Sequence, residues 1–291
     1  MKKYKLTDET CTLHGVTMYR IEALIDFDNV KAGDKGGFVQ SEDNLSQEGK
    51  CWVGDNAKVF GSAKVFGDAV VFGNAEVYGD AKVYDYAKIY GDAKVYSNAE
   101  VGGNAKVYSN AEVYGNAEVF SNALVYDYAK IFGDAKVYDY AEVCGDAIVC
   151  GSAKVFGNAE VYGDALVFGN AIVYGSAKVF GNAEVYGDAL VFGNAEVYDY
   201  AEVFGNAEVC GNAEVTKISD YIVFKNWWSS GRYFTWTRSN NMWRVGGFYG
   251  TSQELIKKAY ADSNMKGQEY ERVVRYVESI LADETKKTSN E

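Results

Sequence analysis

Apolar residues recur with a strict period of six over more than half of the chain. Alanine occupies every sixth position from Ala57 to Ala213, and a β-branched residue, nearly always valine, follows two residues later from Val59 to Val215. Tyrosine or phenylalanine comes next in most copies, and then a Gly-Asn, Gly-Asp or related pair. A period of six does not fit the 3.6-residue helical repeat, and the glycine pairs break any helix. Each Ala-x-Val-aromatic segment therefore predicts a short strand that ends at a corner.

Short strands joined by regular corners predict a coil wound around a thin apolar axis. Alanine and valine lie two positions apart, so both side chains point to the same, inner side of the strand. Burial of one valine contributes about 1.5–3 kcal/mol, and a residue larger than alanine beside a corner would overpack the core at a cost of roughly 1–3 kcal/mol. The predicted core is one residue wide and very long.

The repeat A-x-V-[YFC]-[GSD]-[NDS] resembles the hexapeptide repeat of left-handed parallel β-helices, in which three hexads close one triangular coil. This resemblance implies an all-β solenoid, a left-handed parallel β-helix. Its 27 hexads imply about nine coils that rise about 4.8 Å each, or about 43 Å in total. Residues 18 apart then become neighbours, which predicts a stack of Asn98 on Asn116 and alternating charges at Lys58, Glu76 and Lys94.

The hexad pattern divides the chain into three parts. Residues 1–50 are predicted to form an N-terminal cap and a first irregular coil, in which Val39 and Leu45 occupy the alanine position. Residues 51–216 are the hexapeptide-repeat β-helix. Residues 217–291 are predicted to form a small α+β cap domain, with aromatic-rich strands followed by two helices.

The C-terminal part has its own strand and helix signals. The predicted strands are Tyr221–Lys225, Arg232–Thr237 and Met242–Phe248. Thr251 or Ser252 is the predicted N-cap of the first helix, and Gly267 is predicted to separate it from the second. This segment is similar to C-terminal modules of hypothetical phage and prophage proteins, which implies a bacteriophage context.

The stretch FDNVKAGDKGGFVQSEDNLSQEGKCWV, residues 27–53, closely resembles the opening of the uncharacterised YdcK-type transferases of enterobacteria. The bodies of those proteins are degenerate hexapeptide solenoids. The transferase label that this resemblance implies rests on fold analogy alone, since unrelated functions share one fold.

The acidity of the chain belongs to the repeat. The net charge is −12, and residues 55–214 hold 10 Lys against 11 Glu and 12 Asp, which gives −13. A DNA duplex of about 43 Å carries about 25 phosphate charges, so the repeat is a poor electrostatic copy of DNA. We expect no direct binding of nucleic acid to this acidic shaft.

The N-terminus and the cysteines indicate where the protein is located and whether it binds a metal. The N-terminus MKKYKLTDETCTL lacks the apolar run of a signal peptide, and no stretch reaches the length of a membrane span. The cysteines are odd in number and show no CxxC spacing, which predicts reduced thiols and no metal site. We therefore expect a protein of the bacterial host cytoplasm that does not bind membranes.

Enzymes with this fold, mostly CoA-dependent acyltransferases and γ-class carbonic anhydrases, depend on histidine beside the coils. Histidine serves there as a general base or as a metal ligand. This chain has one histidine, His14, ahead of the repeat, and the hexads contain no inserted loop that could cover a cleft. We therefore predict no catalytic residue and no cofactor, and acyl transfer stays an alternative.

The C-terminal segment concentrates tryptophan and arginine, the residue types of protein-binding hot spots. The same residues could also form the core of a small domain that closes the solenoid. The predicted binding residues are Arg232, Trp236, Arg238, Arg244, Trp227 and Trp228.

Three functions are compatible with these patterns. The first is a non-enzymatic scaffold, a rigid shaft that presents the C-terminal module to a protein partner. The second is a phage-encoded antagonist of a host defence or nucleic-acid-binding protein, and the third is an acyltransferase. Since 22 of the 27 residues after the valine position are Tyr or Phe, we also expect a homo-oligomer, a dimer or trimer joined through an aromatic wall.

Overall fold

Two-residue strands stack along the repeat and form a parallel β-solenoid with three walls. The structure, a computed structural model, describes residues 1–228 and 230–288. It confirms the predicted all-β solenoid and a small C-terminal domain of antiparallel strands and two helices. Neighbours on one wall, such as Val95 and Val113, are 18 residues apart, so three hexads make one coil.

The three walls differ in the strands that form them. Wall A contains Lys58–Val59, Glu76–Val77, Lys94–Val95, Glu112–Val113, Lys130–Ile131, Ile148–Val149, Leu166–Val167, Glu184–Val185 and Glu202–Val203. Wall B contains Trp52–Val53, Val70–Val71, Lys88–Ile89, Lys106–Val107, Leu124–Val125, Glu142–Val143, Glu160–Val161, Lys178–Val179, Glu196–Val197 and Glu214–Val215. Wall C contains Lys64–Val65, Lys82–Val83, Glu100–Val101, Glu118–Val119, Lys136–Val137, Lys154–Val155, Ile172–Val173, Leu190–Val191 and Glu208–Val209.

The solenoid has about ten coils, one more than the hexad count predicts, because the N-terminal segment supplies another. The strand Lys35–Val39 pairs with the first strand of wall A, and Leu45 bridges to Val65 on wall C. Trp52–Val53 then begins wall B.

The prediction that Val39 and Leu45 occupy the alanine position is wrong. Val39 lies beside Val59 and Leu45 beside Val65, so both stack on the valine position with a spacing of 20 instead of 18. Val53 already has the usual spacing to its neighbour. The corner after Leu45 therefore holds two additional residues, and a period of six counted across it gives the wrong position.

The repeat alanines and valines form the core, and the aromatic rings form ladders outside it. Each repeat alanine and valine is at most 1% exposed. The rings stack nearly parallel, as Tyr78 and Tyr96 do with centroids 4.9 Å apart. Asn98 Nδ2 donates to Asn116 Oδ1 at 3.0 Å, which confirms the predicted corner stack. Because each ring covers the faces of its neighbours, most of these side chains are half-buried.

An antiparallel hairpin covers the N-terminal end. Its strands Tyr4–Leu13 and Val16–Ala23 extend wall A through Lys35–Val39. Lys3, 2% exposed, donates through Nζ to the carbonyl oxygen of Cys51 at 2.9 Å and to two further carbonyls at 3.3 Å. The ammonium group therefore satisfies oxygens that the open end of the solenoid would leave unpaired. A 3₁₀ turn at Glu42–Asn44 completes this cap.

The C-terminal sheet has four antiparallel strands, where the sequence predicts three. They are Tyr221–Lys225, Tyr233–Thr237, Met242–Val245 and Phe248–Gly250, after a 3₁₀ turn at Ile218–Asp220. The predicted strand Met242–Phe248 is divided by a tight turn. Gly246 at this turn has a φ of +55°, a conformation that favours glycine.

Two helices, α1 (Ser252–Asp262) and α2 (Asn264–Thr288), pack on this sheet. Thr251 is the N-cap of α1, and its Oγ1 accepts from the N–H of Glu254 at 3.4 Å. The prediction that Gly267 separates the helices is wrong, because Gly267 lies inside α2. A Cβ atom there would come within 2.3 Å of the Tyr260 ring, so glycine allows the two helices to approach closely. Among the described residues, neither helix has the length and apolar character that crossing a membrane requires.

The stacked valine column predicts a clear difference between inner and outer substitutions. Val95→Ala should lower the free energy of unfolding by about 2 kcal/mol, since it removes two buried carbons and leaves a cavity. Lys94→Ala, on the outer side of the same strand, should leave it nearly unchanged. Urea denaturation followed by far-UV circular dichroism measures both, and equal midpoints would contradict the role of Val95 in the core.

Candidate binding site

The C-terminal sheet closes the last coil by satisfying its free backbone donors. The N–H of Glu208 donates to Thr235 Oγ1 at 2.9 Å, and the N–H of Glu214 donates to Ser239 Oγ at 2.7 Å. Tyr221, 6% exposed, packs against the end of the solenoid core. An open strand edge would otherwise offer these donors to another chain.

Arg244, a predicted binding residue, fastens this sheet to the shaft. Its Nε donates to Glu208 Oε2 at 2.7 Å, and both side chains are about three-quarters buried. Its guanidinium lies 5.3 Å from the centre of the Phe192 ring. Arg244 therefore orients the module on the solenoid, because this one side chain contacts wall C at two successive coils.

Asp220 holds the turn between the shaft and the sheet. Burial of its carboxyl group opposes ionisation, but hydrogen bonds from the Thr216 N–H, Thr216 Oγ1 and the Lys217 N–H outweigh burial and keep the pKa of Asp220 below its usual range. The three donors lie 2.9, 2.8 and 3.1 Å from Oδ2. The ionised carboxylate therefore stabilises the junction.

The other predicted arginines and Trp236 do not form one site. Trp236 is 2% exposed in the core of the module, and its Nε1 donates to Asn241 Oδ1 at 2.9 Å. Arg238 is exposed and donates through Nε to the Ser219 carbonyl at 3.2 Å. Arg232 is exposed just before the second strand. Trp236 therefore supports the sheet, while the two arginines lie on different parts of its surface.

Trp227 and Trp228 lie together on the surface, 71% and 79% exposed. Trp228 lines a groove of about 480 Å³ between the strand Tyr221–Lys225 and helix α2. Further lining residues include Ile222, Phe224, Lys225, Arg272, Val273 and Tyr276. The groove is therefore mainly apolar, with the charged side chains of Lys225, Arg272 and Glu269 among its lining residues.

The cationic side of this groove is held in place by aromatic rings. Lys225 Nζ lies 4.2 Å from the centre of the Trp227 ring and 5.2 Å from that of Tyr233. Cations over ring faces are attracted by the ring quadrupole. The ammonium group is thus positioned beside the groove.

The strand along the groove is an edge strand with backbone groups that face outward. It is the terminal strand of the four-stranded sheet. The Asn226 N–H donates to the Arg232 carbonyl, and the Arg238 N–H donates to the Asp220 carbonyl. Hydrogen-bonded pairs of an antiparallel ladder recur at every second residue. Counted from these two bonds, the pairs Ile222–Trp236 and Phe224–Phe234 are the hydrogen-bonded ones. Val223 lies between them, so its N–H and C=O point to the open edge.

The sequence pattern indicated one side of this groove and not the other. The predicted binding residues include Trp227 and Trp228, but neither Lys225 nor the α2 residues Arg272 and Tyr276. Tyr276 is 61% exposed. An aromatic residue off the apolar stripe of a helix is a signal that the sequence already contains.

A second groove, of about 620 Å³, lies beside the first strands of wall B. Residues 28–30 form one side, and Trp52, Phe72, Tyr86 and Lys88 are among those that form the other. His14 is exposed at the turn of the N-terminal hairpin and does not line this groove. Among the side chains that the structure describes, residues 1–228 and 230–283, no three His, Cys, Asp or Glu residues meet in a possible metal site.

Comparisons with known proteins support the predicted YdcK-type resemblance. A family model described as the YdcK beta-solenoid repeat matches residues 159–175. The chain is also similar to the uncharacterized acetyltransferase YdcK of Escherichia coli (strain K12), with 40% identity over 72 residues. This alignment covers 22% of the chain and 22% of that relative.

The junction geometry predicts that Arg244 is needed for stable docking of the module. Arg244→Ala should lower the stability of the module by about 1–3 kcal/mol, because it leaves the Glu208 carboxylate partly buried without its donor. Tryptophan fluorescence during urea denaturation measures this, since four of the five tryptophans lie in the module. Arg275→Ala, which removes an exposed ion pair within α2, is the control; an equal effect of both changes would contradict the prediction.

The low pKa of Asp220 predicts a pH-dependent contribution to stability. A carboxylate whose pKa is depressed by folding stabilises above its unfolded pKa of about 3.9, and this contribution is lost as pH falls through the folded value. Asp220→Asn should therefore cost about 1–2 kcal/mol at pH 7, and the gap should close below about pH 3.9. The same fluorescence assay at several pH values checks this, with Asp262→Asn as control. A gap that is constant with pH would be inconsistent with it.

Proposed function

We propose that this chain is a rigid scaffold whose C-terminal module binds an extended segment of a protein partner. The observation that carries the proposal is the open edge strand Tyr221–Lys225 beside an apolar groove. A partner segment would add a fifth strand to the sheet and pair with the outward N–H and C=O of Val223. Addition of a strand to a sheet edge supplies affinity through the backbone and specificity through side-chain pockets.

The groove indicates the chemistry of the bound segment. Ile222, Phe224 and Val273 offer apolar contacts, and Trp228 and Tyr276 are exposed aromatic residues of the kind that dominate binding energy. Arg272 already pairs with Glu269 in the groove wall, so Lys225 is the cation that favours an acidic residue in the ligand. The segment should therefore alternate apolar residues and carry at least one carboxylate.

The solenoid suits the role of a shaft. Each coil is joined to the next through three parallel strand pairs, as at Lys94–Val95 with Glu112–Val113, and its core repeats almost without change. Such a body fixes the distance between its ends and offers nearly the same surface at each coil. Sequence-specific recognition then falls to the unrepeated module.

Acyl transfer is the second candidate, favoured by the name of the Escherichia coli relative and by the groove beside wall B. Three lysines, Lys35, Lys50 and Lys88, line this groove together with four aspartates, and Lys50 and Lys88 could contact a phosphorylated acyl donor. Calorimetric titration with acetyl-coenzyme A separates the candidates: binding that Lys50→Ala and Lys88→Ala abolish would favour this function over the scaffold. Bacteriophage origin, antagonism of a host protein and cytoplasmic location stay predictions from sequence.

The strand-addition proposal predicts that a proline at the outward-facing edge position abolishes binding. Peptides selected on the full chain from a displayed random library supply the ligand, and fluorescence anisotropy measures its affinity. Val223→Pro should weaken binding at least tenfold, about 1.4 kcal/mol, since proline lacks the N–H but is tolerated at a sheet edge. Val223→Ala, which keeps the N–H, should change affinity less than threefold.

A second pair of variants tests the groove. Trp228→Ala should weaken binding of the peptide at least tenfold, whereas Trp227→Ala, at an exposed neighbour that does not line the groove, should have a smaller effect. Failure to select any peptide, or unchanged affinity of Val223→Pro, would overturn the proposal.

A further inference from the structure

Most outward charges on walls A and C have an opposite charge on a neighbouring strand. On wall A lysine and glutamate alternate along neighbouring strands, as in Lys58, Glu76 and Lys94. On wall C, Lys82 Nζ lies 2.7 Å from Glu100 Oε1, and Lys136 Nζ lies 2.8 Å from Glu118 Oε1. Like charges also adjoin on these walls, at Lys64–Lys82, Glu100–Glu118, Lys136–Lys154 and Glu184–Glu202, but Lys82, Glu100, Glu118 and Lys136 each have an opposite charge on their other side.

On wall B, in contrast, an apolar residue separates a pair of lysines from a pair of glutamates. Lys88 pairs in register with Lys106, then Leu124 follows, and then Glu142 beside Glu160. Like charges on directly neighbouring strands repel each other. The other column neighbours of the two lysines are the apolar Val70 and Leu124, whereas Glu160 has an ion pair with Lys178 at 3.3 Å. Wall B therefore carries charges that its own column does not balance.

The four most exposed aromatic side chains of the repeat also border wall B. At their corners an Asp-Tyr pair replaces the usual Gly-Asx pair, and the tyrosines are 59–79% exposed. Two of them precede strands of wall B and two follow such strands, and none lies at the corner between walls A and C. They are Tyr86, Tyr140, Tyr128 and Tyr200. Exposed tyrosine is enriched in protein interfaces.

We propose that wall B is the interface of a homodimer in which two shafts lie antiparallel. The two-fold axis lies in the interface, perpendicular to the shafts, at the level of Leu124. Such an axis reverses the order of coils along the shaft. The outward residues of wall B in one copy then face the same row of residues in the second copy, read in the opposite direction. Leu124 then contacts its own copy, each Lys106 faces a Glu142, and each Lys88 faces a Glu160.

This arrangement uses both unusual features of wall B. The reversed column places each like-charged pair opposite the pair of opposite sign, and a closed two-fold contact repeats this on both sides of the axis. Tyr128 lies on the same coil as Leu124, so two copies of it meet beside the axis.

The size of the wall is sufficient for such a contact. From Trp52 to Glu196 the column covers eight steps of about 4.8 Å, or about 38 Å, and six extended residues span about 20 Å. Contact along this wall would bury roughly 700 Å² per copy, near the standard size of about 800 Å² per partner. At its end, Tyr200 of the second copy comes opposite the corner after Val53, where the second groove is open.

Two leucines in equivalent outer positions provide a matched test. Leu124 lies at the proposed axis, and Leu166 occupies the same position on wall A; both are half-buried. Sedimentation equilibrium of the full chain at about 1–100 µM should show a dimer. This range covers dissociation constants that correspond to roughly 5–8 kcal/mol of binding free energy. Leu124→Glu should weaken it at least tenfold, and Leu166→Glu should leave it unchanged. Circular dichroism confirms that both variants are folded.

Charge reversal tests the antiparallel register. The variants K88E/K106E and E142K/E160K should each be monomeric, since they place like charges opposite each other. Mixed in equal amounts, they should form a heterodimer, because every facing pair is then complementary. Loss of the dimer in each variant separates the two directions, because parallel shafts would place each charge opposite its own copy in the wild-type chain as well.

Each remaining result overturns the proposal. A monomeric wild-type chain at the highest concentration would exclude the interface. Dissociation by Leu166→Glu in place of Leu124→Glu would assign the contact to wall A. A dimer that persists in K88E/K106E, or mixed variants that stay monomeric, would exclude this register.

Discussion

The hydrogen bonds between successive coils are the constraint on which the rest of the structure depends. Each outward residue donates its N–H to the next coil, as Lys94 does to the Ala111 carbonyl at 2.9 Å. This ladder fixes the 18-residue register and the spacing of the coils. Valine therefore lies on valine, rings stack at contact distance, and the outward charges become neighbours in a defined order. Side-chain chemistry on the walls is a result of backbone spacing.

A ladder of this kind leaves unpaired backbone groups at each end, and the chain covers them in two different ways. At the N-terminus, where carbonyl oxygens remain, the buried ammonium group of Lys3 serves as a multiple donor. At the C-terminus, where N–H groups remain, the hydroxyl groups of Thr235 and Ser239 serve as acceptors. The C-terminal sheet thus has a structural task and also keeps its own edge strand open, and a partner segment would bind there.

The parts of the fold that follow from periodicity could be predicted, and those that depend on single distant contacts could not. The 18-residue spacing between stacked strands followed from the period of six. The two additional residues after Leu45 change this spacing to 20 in the first coil, and the composition there gives no sign of them. Gly267 has the sequence signature of a helix end, yet it lies inside a helix because Tyr260 packs on it. Arg244 could not be assigned to the junction, since its partner Glu208 resembles every other glutamate of the repeat.

The three-walled coil also determines the direction in which the module faces. One hexad advances the chain by one wall, a rotation of about 120° around the shaft, and only three hexads restore the original direction. Gain or loss of a single hexad would therefore turn the groove of the module to another side, with a change in length of only about 1.6 Å, one third of a coil. The number of hexads therefore sets the direction in which the module faces as well as the length of the shaft. A single hexad changes the direction greatly and the length very little.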